Sequence, residues 1–160
     1  MANEFTDLSV RINSVIRSDR NIRIALSSTL AVQKQRIFVQ GQSSNEAKIG
    51  TYSTTPTSVS KKQQARNTGK TTFKGGYAEY KRLVGKNPGY VILRNTDQMM
   101  MDYGLQGSGL TYGFGFQNIE NFNKSQWMES KYKKKIFNIT RKEENVLVDV
   151  LEDQLRRALR

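Results

Sequence analysis

Residues 90–117 read Tyr90-Val-Ile-Leu-Arg-Asn-Thr-Asp-Gln-Met-Met-Met-Asp-Tyr-Gly-Leu-Gln-Gly-Ser-Gly-Leu-Thr-Tyr-Gly-Phe-Gly-Phe-Gln117, and their pattern decides the fold class. A short apolar run, Tyr90 to Leu93, comes first. Thr96-Asp97 is a helix-start signal, and an apolar turn or two follows through Met99, Met100, Met101 and Tyr103. Gly104 and the Gly107-Ser108-Gly109 cluster are expected to stop that element. From Leu110 to Phe116 the chain alternates. Leu110, Tyr112, Phe114 and Phe116 fall on one side, and Thr111, Gly113 and Gly115 on the other. This is a period-two strand with one bulky face and one nearly bare face. Glycine weakens a strand unless another backbone or surface comes close. The stretch reads as the sheet of a small α+β domain whose open face is meant to be covered. Gly113 and Gly115 are therefore candidate subunit-interface residues. The triplet Met99, Met100, Met101 is a second candidate, as a soft contact surface, although such residues more often fill a core.

Working outward, residues 5 to about 40 carry apolar positions at three- and four-residue steps: Leu8, Ile12, Val15, Ile16, then Ile22, Leu26, Leu30, Val32 and Ile37. Asp19 to Asn21 is the expected break between two helices, and Gly41 the expected stop. Residues 42–75 differ. They are rich in Ser, Thr, Gln, Asn and Lys, with Ile49, Tyr52, Val59 and Phe73 as sparse apolar anchors. So long a polar stretch is either disordered or an extended arm ordered against a neighbour. Ile49 and Tyr52 are candidate interface residues on the second reading. Residues 76–88 hold one short helix, ended by Gly85 and Pro88. Beyond the central stretch, Ile119 to Tyr132 is helix-compatible, with Lys131 and Lys133 to Lys135 crowding its end, where cations suit the helix dipole. Ile136 to Ile139 is expected to be a short strand. Thr140-Arg141-Lys142-Glu143 is a capping box. It opens a final helix with Val146, Leu147, Val150, Leu151, Leu155 and Leu159 as its apolar stripe.

The 160 residues amount to one domain's worth of chain. No run approaches a membrane span, and the polar, acidic start is not that of a signal peptide. With neither cysteine nor histidine in the sequence, disulfides, thiolate nucleophiles, histidine triads and most zinc sites are excluded. The net charge is +12, from 26 Lys and Arg against 14 Asp and Glu. Residues 41–94 hold ten basic residues against two acidic ones, whereas the last twenty are balanced, five against five. So localised an excess points to a polyanion, usually nucleic acid, or else to a solvated surface. Lys61, Lys62, Arg66, Lys70 and Lys74 are the candidate nucleic-acid-facing residues. Aromatics are too sparse among them for base stacking, so such binding would be independent of sequence.

Other chemistry fares poorly. Gly69-Lys70-Thr71 matches the end of a phosphate-binding P-loop. Gln64 occupies the position of the required first glycine, however, and no apolar strand precedes it. Gly113-Phe-Gly115-Phe-Gln-Asn118 lies inside a strand and ends in Asn, unlike a dinucleotide fingerprint. The acidic residues are scattered, with no pair suited to acid–base work or a metal cage. No enzyme activity and no cofactor or metal are expected.

The order of features resembles the tailed-bacteriophage virion morphogenesis family of tail-completion and head–tail connector (neck) proteins. The similar pieces are Arg36-Ile-Phe-Val-Gln-Gly-Gln42, the polar insert with Ile49-Gly-Thr-Tyr-Ser53, Leu93-Arg-Asn-Thr-Asp-Gln-Met99, the glycine-containing strand Tyr112-Gly-Phe-Gly-Phe116, and Ile136-Phe-Asn-Ile-Thr140 followed by Glu143-Glu144. Asp97 stands where that family tends to have glycine. The resemblance implies N- and C-terminal helices packed on a small, mainly antiparallel β-sheet, within a single domain carrying the arm 42–75. It also implies a structural subunit of the virion, assembled in the host cytoplasm. Such a subunit forms a homo-oligomeric ring of six or twelve copies, with a portal or adaptor ring and tail proteins as neighbours and duplex DNA in its channel. The reading of another class is a non-sequence-specific nucleic-acid-binding protein, on the strength of the charge.

Overall fold

The computed structural model describes residues 2–60, 70–108 and 111–159. In chain order these form α1 (Ala2–Ile16), α2 (Asp19–Lys34), a π-helical turn (Gln35–Val39), β1 (Thr57–Ser60), β2 (Lys70–Phe73), α3 (Gly76–Leu83), α4 (Gln98–Asp102), β3 (Tyr103–Ser108), β4 (Thr111–Phe116), α5 (Ile119–Tyr132) and α6 (Arg141–Ala158). The class is α+β, with two separate antiparallel hairpins, β1–β2 and β3–β4, in place of the one expected sheet. The expectation of one domain meets two compact units. The first comprises residues 1–35, 102–122 and 139–160, the second residues 36–101 and 123–138.

The first unit is helical with a hairpin. Its helices break at Arg17-Ser18 rather than at Asp19 to Asn21. Ser18 is the N-cap of α2, its hydroxyl accepting the Asn21 N–H, and Asp19 supplies the acidic first turn. The capping box forms as expected. Thr140 Oγ1 accepts the Glu143 N–H at 3.2 Å, and the Glu143 carboxylate accepts the Thr140 N–H at 2.8 Å. Helix α6 packs on α1 and α2, and α2 also packs on β3. The hairpin pairs Tyr103 with Phe116, Leu105 with Phe114 and Gly107 with Tyr112. These residues share one face, and on it the Tyr103 hydroxyl donates to Gln33 Oε1 at 3.0 Å. Strand β3 is a correction to the sequence reading. Gly104 and Gly107 look like breakers, but both pair within the ladder: Gly107 takes a φ of 111°, which glycine enters freely and where an added Cβ would lie 2.2 Å from the Thr111 carbonyl oxygen, and Tyr103 and Leu105 pair with Phe116 and Phe114.

In the second unit the anticipated arm is not an arm over its described residues. Val59 of β1 and Phe73 of β2 are buried with Tyr80 of α3 in one apolar cluster, with Tyr77 packed against it. Gly41 turns the chain at a φ of 63°, where an added Cβ would lie 2.3 Å from the Val91 carbonyl oxygen. Residues 90–93 form no strand. Val91 and Leu93 are buried, and the Val91 N–H donates to the Gly50 carbonyl at 2.8 Å. Residues 136–139 are irregular too, for a local reason. The Glu129 carboxylate accepts the N–H groups of Ile136 and Phe137, while Arg36 takes the carbonyls of Ile136 and Asn138. A ladder would need those same backbone groups.

Candidate interaction surfaces

Of the expected nucleic-acid-facing residues, Lys61, Lys62 and Arg66 lie outside the described residues. Lys70 opens β2 and Lys74 follows it, both exposed. Among the expected interface residues, Ile49 is corrected. At 1% exposure it belongs to the interior of the second unit. Tyr52 is half-buried, its hydroxyl donating to the Ile92 carbonyl at 2.8 Å and accepting the Ile92 N–H at 3.1 Å. The methionines divide. Met99 and Met100 are half-buried, whereas Met101 is 76% exposed. Asp97, just before them, takes a φ of 59°, the region glycine enters freely. Its carboxylate holds Arg94 in a two-point pair at 2.7 and 2.9 Å, which lowers the pKa of Asp97.

Gly113 and Gly115 lie together on the second face of the β3–β4 hairpin, with Gly104, Gln106, Ser108 and Thr111. An added Cβ at Gly113 would meet no described atom within 4 Å, and at Gly115 it would meet only Gln106 Cγ at 3.4 Å. The Gln106 side-chain amide nitrogen is shielded and has no hydrogen-bond partner among the described residues. Neither outer edge of the hairpin pairs with a third strand among them.

One site was invisible in the sequence. Lys81, counted there among the surface charges, is 2% exposed. Its ammonium donates to the Arg94 carbonyl at 2.6 Å and to Asn95 Oδ1 at 3.2 Å, and lies 5.5 Å from the ring centres of Tyr52 and Tyr77. Asn95 Oδ1 also accepts the Tyr80 hydroxyl at 3.1 Å. Burial pushes the Lys81 pKa down to about 8, with repulsion from Lys86 adding to it and Asp97 opposing. Burial likewise pushes Tyr52 and Tyr77 up to about 12. A lysine this enclosed, with its hydrogens donated to fixed oxygens, ties α3 to residues 94–97 rather than reaching a substrate.

The last turns of α5 form an open basic surface. Trp127 is 57% exposed, and Lys131 sets its ammonium 4.6 Å from the ring centre. Lys133, Lys134 and Lys135 follow, bordering a groove of about 350 Å³ with Gln126, Glu129 and Ser130. No helix among the described residues is long and apolar enough to cross a membrane. No protein-family model, curated protein or solved structure matches this chain.

Proposed function

We propose that the chain is a structural subunit of a phage head–tail connector, one copy in a closed ring at the neck between portal and tail. The observation that carries this reading is the glycine face of the β3–β4 hairpin. A two-stranded hairpin is marginal alone, glycines in a strand mark a close approach, and no described atom of this chain makes that approach at Gly113. A second copy would. This face set against a different face of the next copy, repeated head-to-tail, closes into a ring where the rotation closes. Exposed apolar side chains on α1 and α2 of the same unit, Val10, Ile16, Ile24 and Val32, add surface of the kind that assemblies cover.

The test is Gly113→Leu, followed by analytical ultracentrifugation and circular dichroism. The space at Gly113 is open within the chain, so the variant keeps its helical spectrum and melting temperature, while the wild type's oligomer is lost. A wild-type chain that stays a compact monomer at all concentrations and is missing from the particles encoding it would sink the proposal. So would a Gly113→Leu variant that assembles as well as the parent. The second reading, a nucleic-acid-binding protein, is favoured by the lysines at the end of α5.

A further inference from the structure

Trp127 is the chain's single tryptophan, and more than half of it faces solvent on a helix whose next residues are basic. Leaving an indole in water forgoes a large burial, and here the ring is also held in place. Lys131, one turn on, stands over it and lies 5.5 Å from the Tyr132 ring centre. Gln126 and Ser130, which line the groove, lie one residue, about 100°, around the helix from Trp127 and Lys131, and Lys133 borders it just past the helix end. The groove's one carboxylate, Glu129, is engaged by the N–H groups of Ile136 at 2.6 Å and Phe137 at 3.1 Å. Among the described residues, neither Lys133 nor Lys135 has a carboxylate partner. Lys133 turns the chain at a φ of 51°, Lys134 is tied to the Lys48 carbonyl, and Arg36 holds the carbonyls of Ile136 and Asn138. The cationic loop is thus fastened on both sides before any ligand arrives.

We propose that this end of α5 binds an unpaired nucleic-acid strand, with a base against Trp127 and phosphates on Lys131, Lys133 and Lys135. Lysines without internal carboxylates suit phosphates, and an exposed indole suits the π-face of any base. The pairing of the two favours a nucleic acid over a plain polyanion, which has no use for the ring. These lysines are other than Lys61, Lys62, Lys70 and Lys74, and the inference stands whether or not the chain forms a ring.

The test uses the full chain at roughly 50 mM salt, where phosphate contacts are strongest. Trp127 fluorescence is followed during titration with an oligothymidylate of about twenty nucleotides, the indole being the only one in the molecule. Quenching that saturates is expected. Lys131→Gln/Lys133→Gln/Lys135→Gln alters exposed side chains only. It should weaken binding at least about tenfold and reduce the salt slope by about 2, at roughly 0.7 per phosphate contact on a single strand. Trp127→Ala, read with a fluorescent strand, should lose roughly tenfold through stacking alone. Each of the following overturns the inference: no quenching at low salt, unchanged affinity in the triple variant, binding only to duplex with Trp127 emission unmoved, or quenching by phosphatidylserine vesicles but not by the strand.

Discussion

Replacing Arg36 by methionine tests what holds the second unit together. Arg36 is 5% exposed in the π-helical turn. Its Nη1 donates to the carbonyls of Gln42 at 3.1 Å and Ile136 at 3.0 Å, and Nη2 to that of Asn138 at 2.9 Å. Methionine keeps most of the apolar stem and removes the fork. Hydrogen bonds to a charged group contribute about 1.5–3 kcal/mol each, and a carbonyl left dry costs about 1–3 kcal/mol. Removing the guanidinium also removes its own desolvation cost, and the three bonds are not additive. A net loss of about 3–4 kcal/mol follows. With a urea m-value of about 2 kcal/mol/M for a chain this size, the midpoint falls by roughly 1.5–2 M. The assay is urea unfolding read by Trp127 fluorescence, which reports the second unit, in parallel with far-ultraviolet circular dichroism. Arg36→Lys should fall between the two, since one ammonium cannot span three carbonyls as a planar fork does. A midpoint shift below about 0.5 M for Arg36→Met, about 1 kcal/mol on the same slope, would refute the reasoning.

Thr140→Ala removes the N-cap of α6 and should cost about 1 kcal/mol, lowering the melting temperature by about 2–4 °C; a calorimetric scan decides it. The Lys81 site predicts a stability maximum on the alkaline side. The Lys81 pKa is about 8 in the fold against 10.5 unfolded, so between those values the unfolded chain binds more protons and stability rises with pH. Tyr52 and Tyr77 are raised from 10.0 to about 12, so above pH 10 the unfolded chain binds fewer protons and stability falls. Urea midpoints across this range should climb and then drop, and Lys81→Met should flatten the climb; a monotonic profile in the wild type would contradict the assignment.

What was legible in the sequence was local. The capping box needs only Thr140 and Glu143, three residues apart, and it formed as read. The alternation of Thr111 to Phe116 likewise appears as a strand. What was not legible depends on distant partners. Gly104 and Gly107 read as breakers because nothing nearby says that Phe116 and Phe114 will pair with Tyr103 and Leu105. Lys81 and Arg36 count as surface charge in any composition, and only the arrival of Tyr52, Tyr77 and residues 136–138 buries them. The α5 surface could have been found. Trp127 lies within a run holding Lys124, Lys131 and Lys133 to Lys135, an aromatic-in-basic pattern that residues 61–74 lack on their surface, since their aromatic, Phe73, is buried.

The path of the chain through its two units also sets an order of events during synthesis. Gln154 of α6 donates to the Asn21 carbonyl across 133 residues of sequence. By contrast β1, β2 and α3 close their cluster within residues 57–83. Local contacts form early and distant ones wait for the loop to close. Helices α1 and α2 are translated before α6, so they must stand with their α6-facing side uncovered until α6 clears the ribosome. Synthesis generally lets upstream segments settle first, and here α1 and α2 wait for a helix more than a hundred residues downstream to enclose them. A ribosome stalled before α6 would therefore hold a nascent chain whose β1–β2–α3 cluster can already be ordered while its first two helices remain a target for chaperones and proteases.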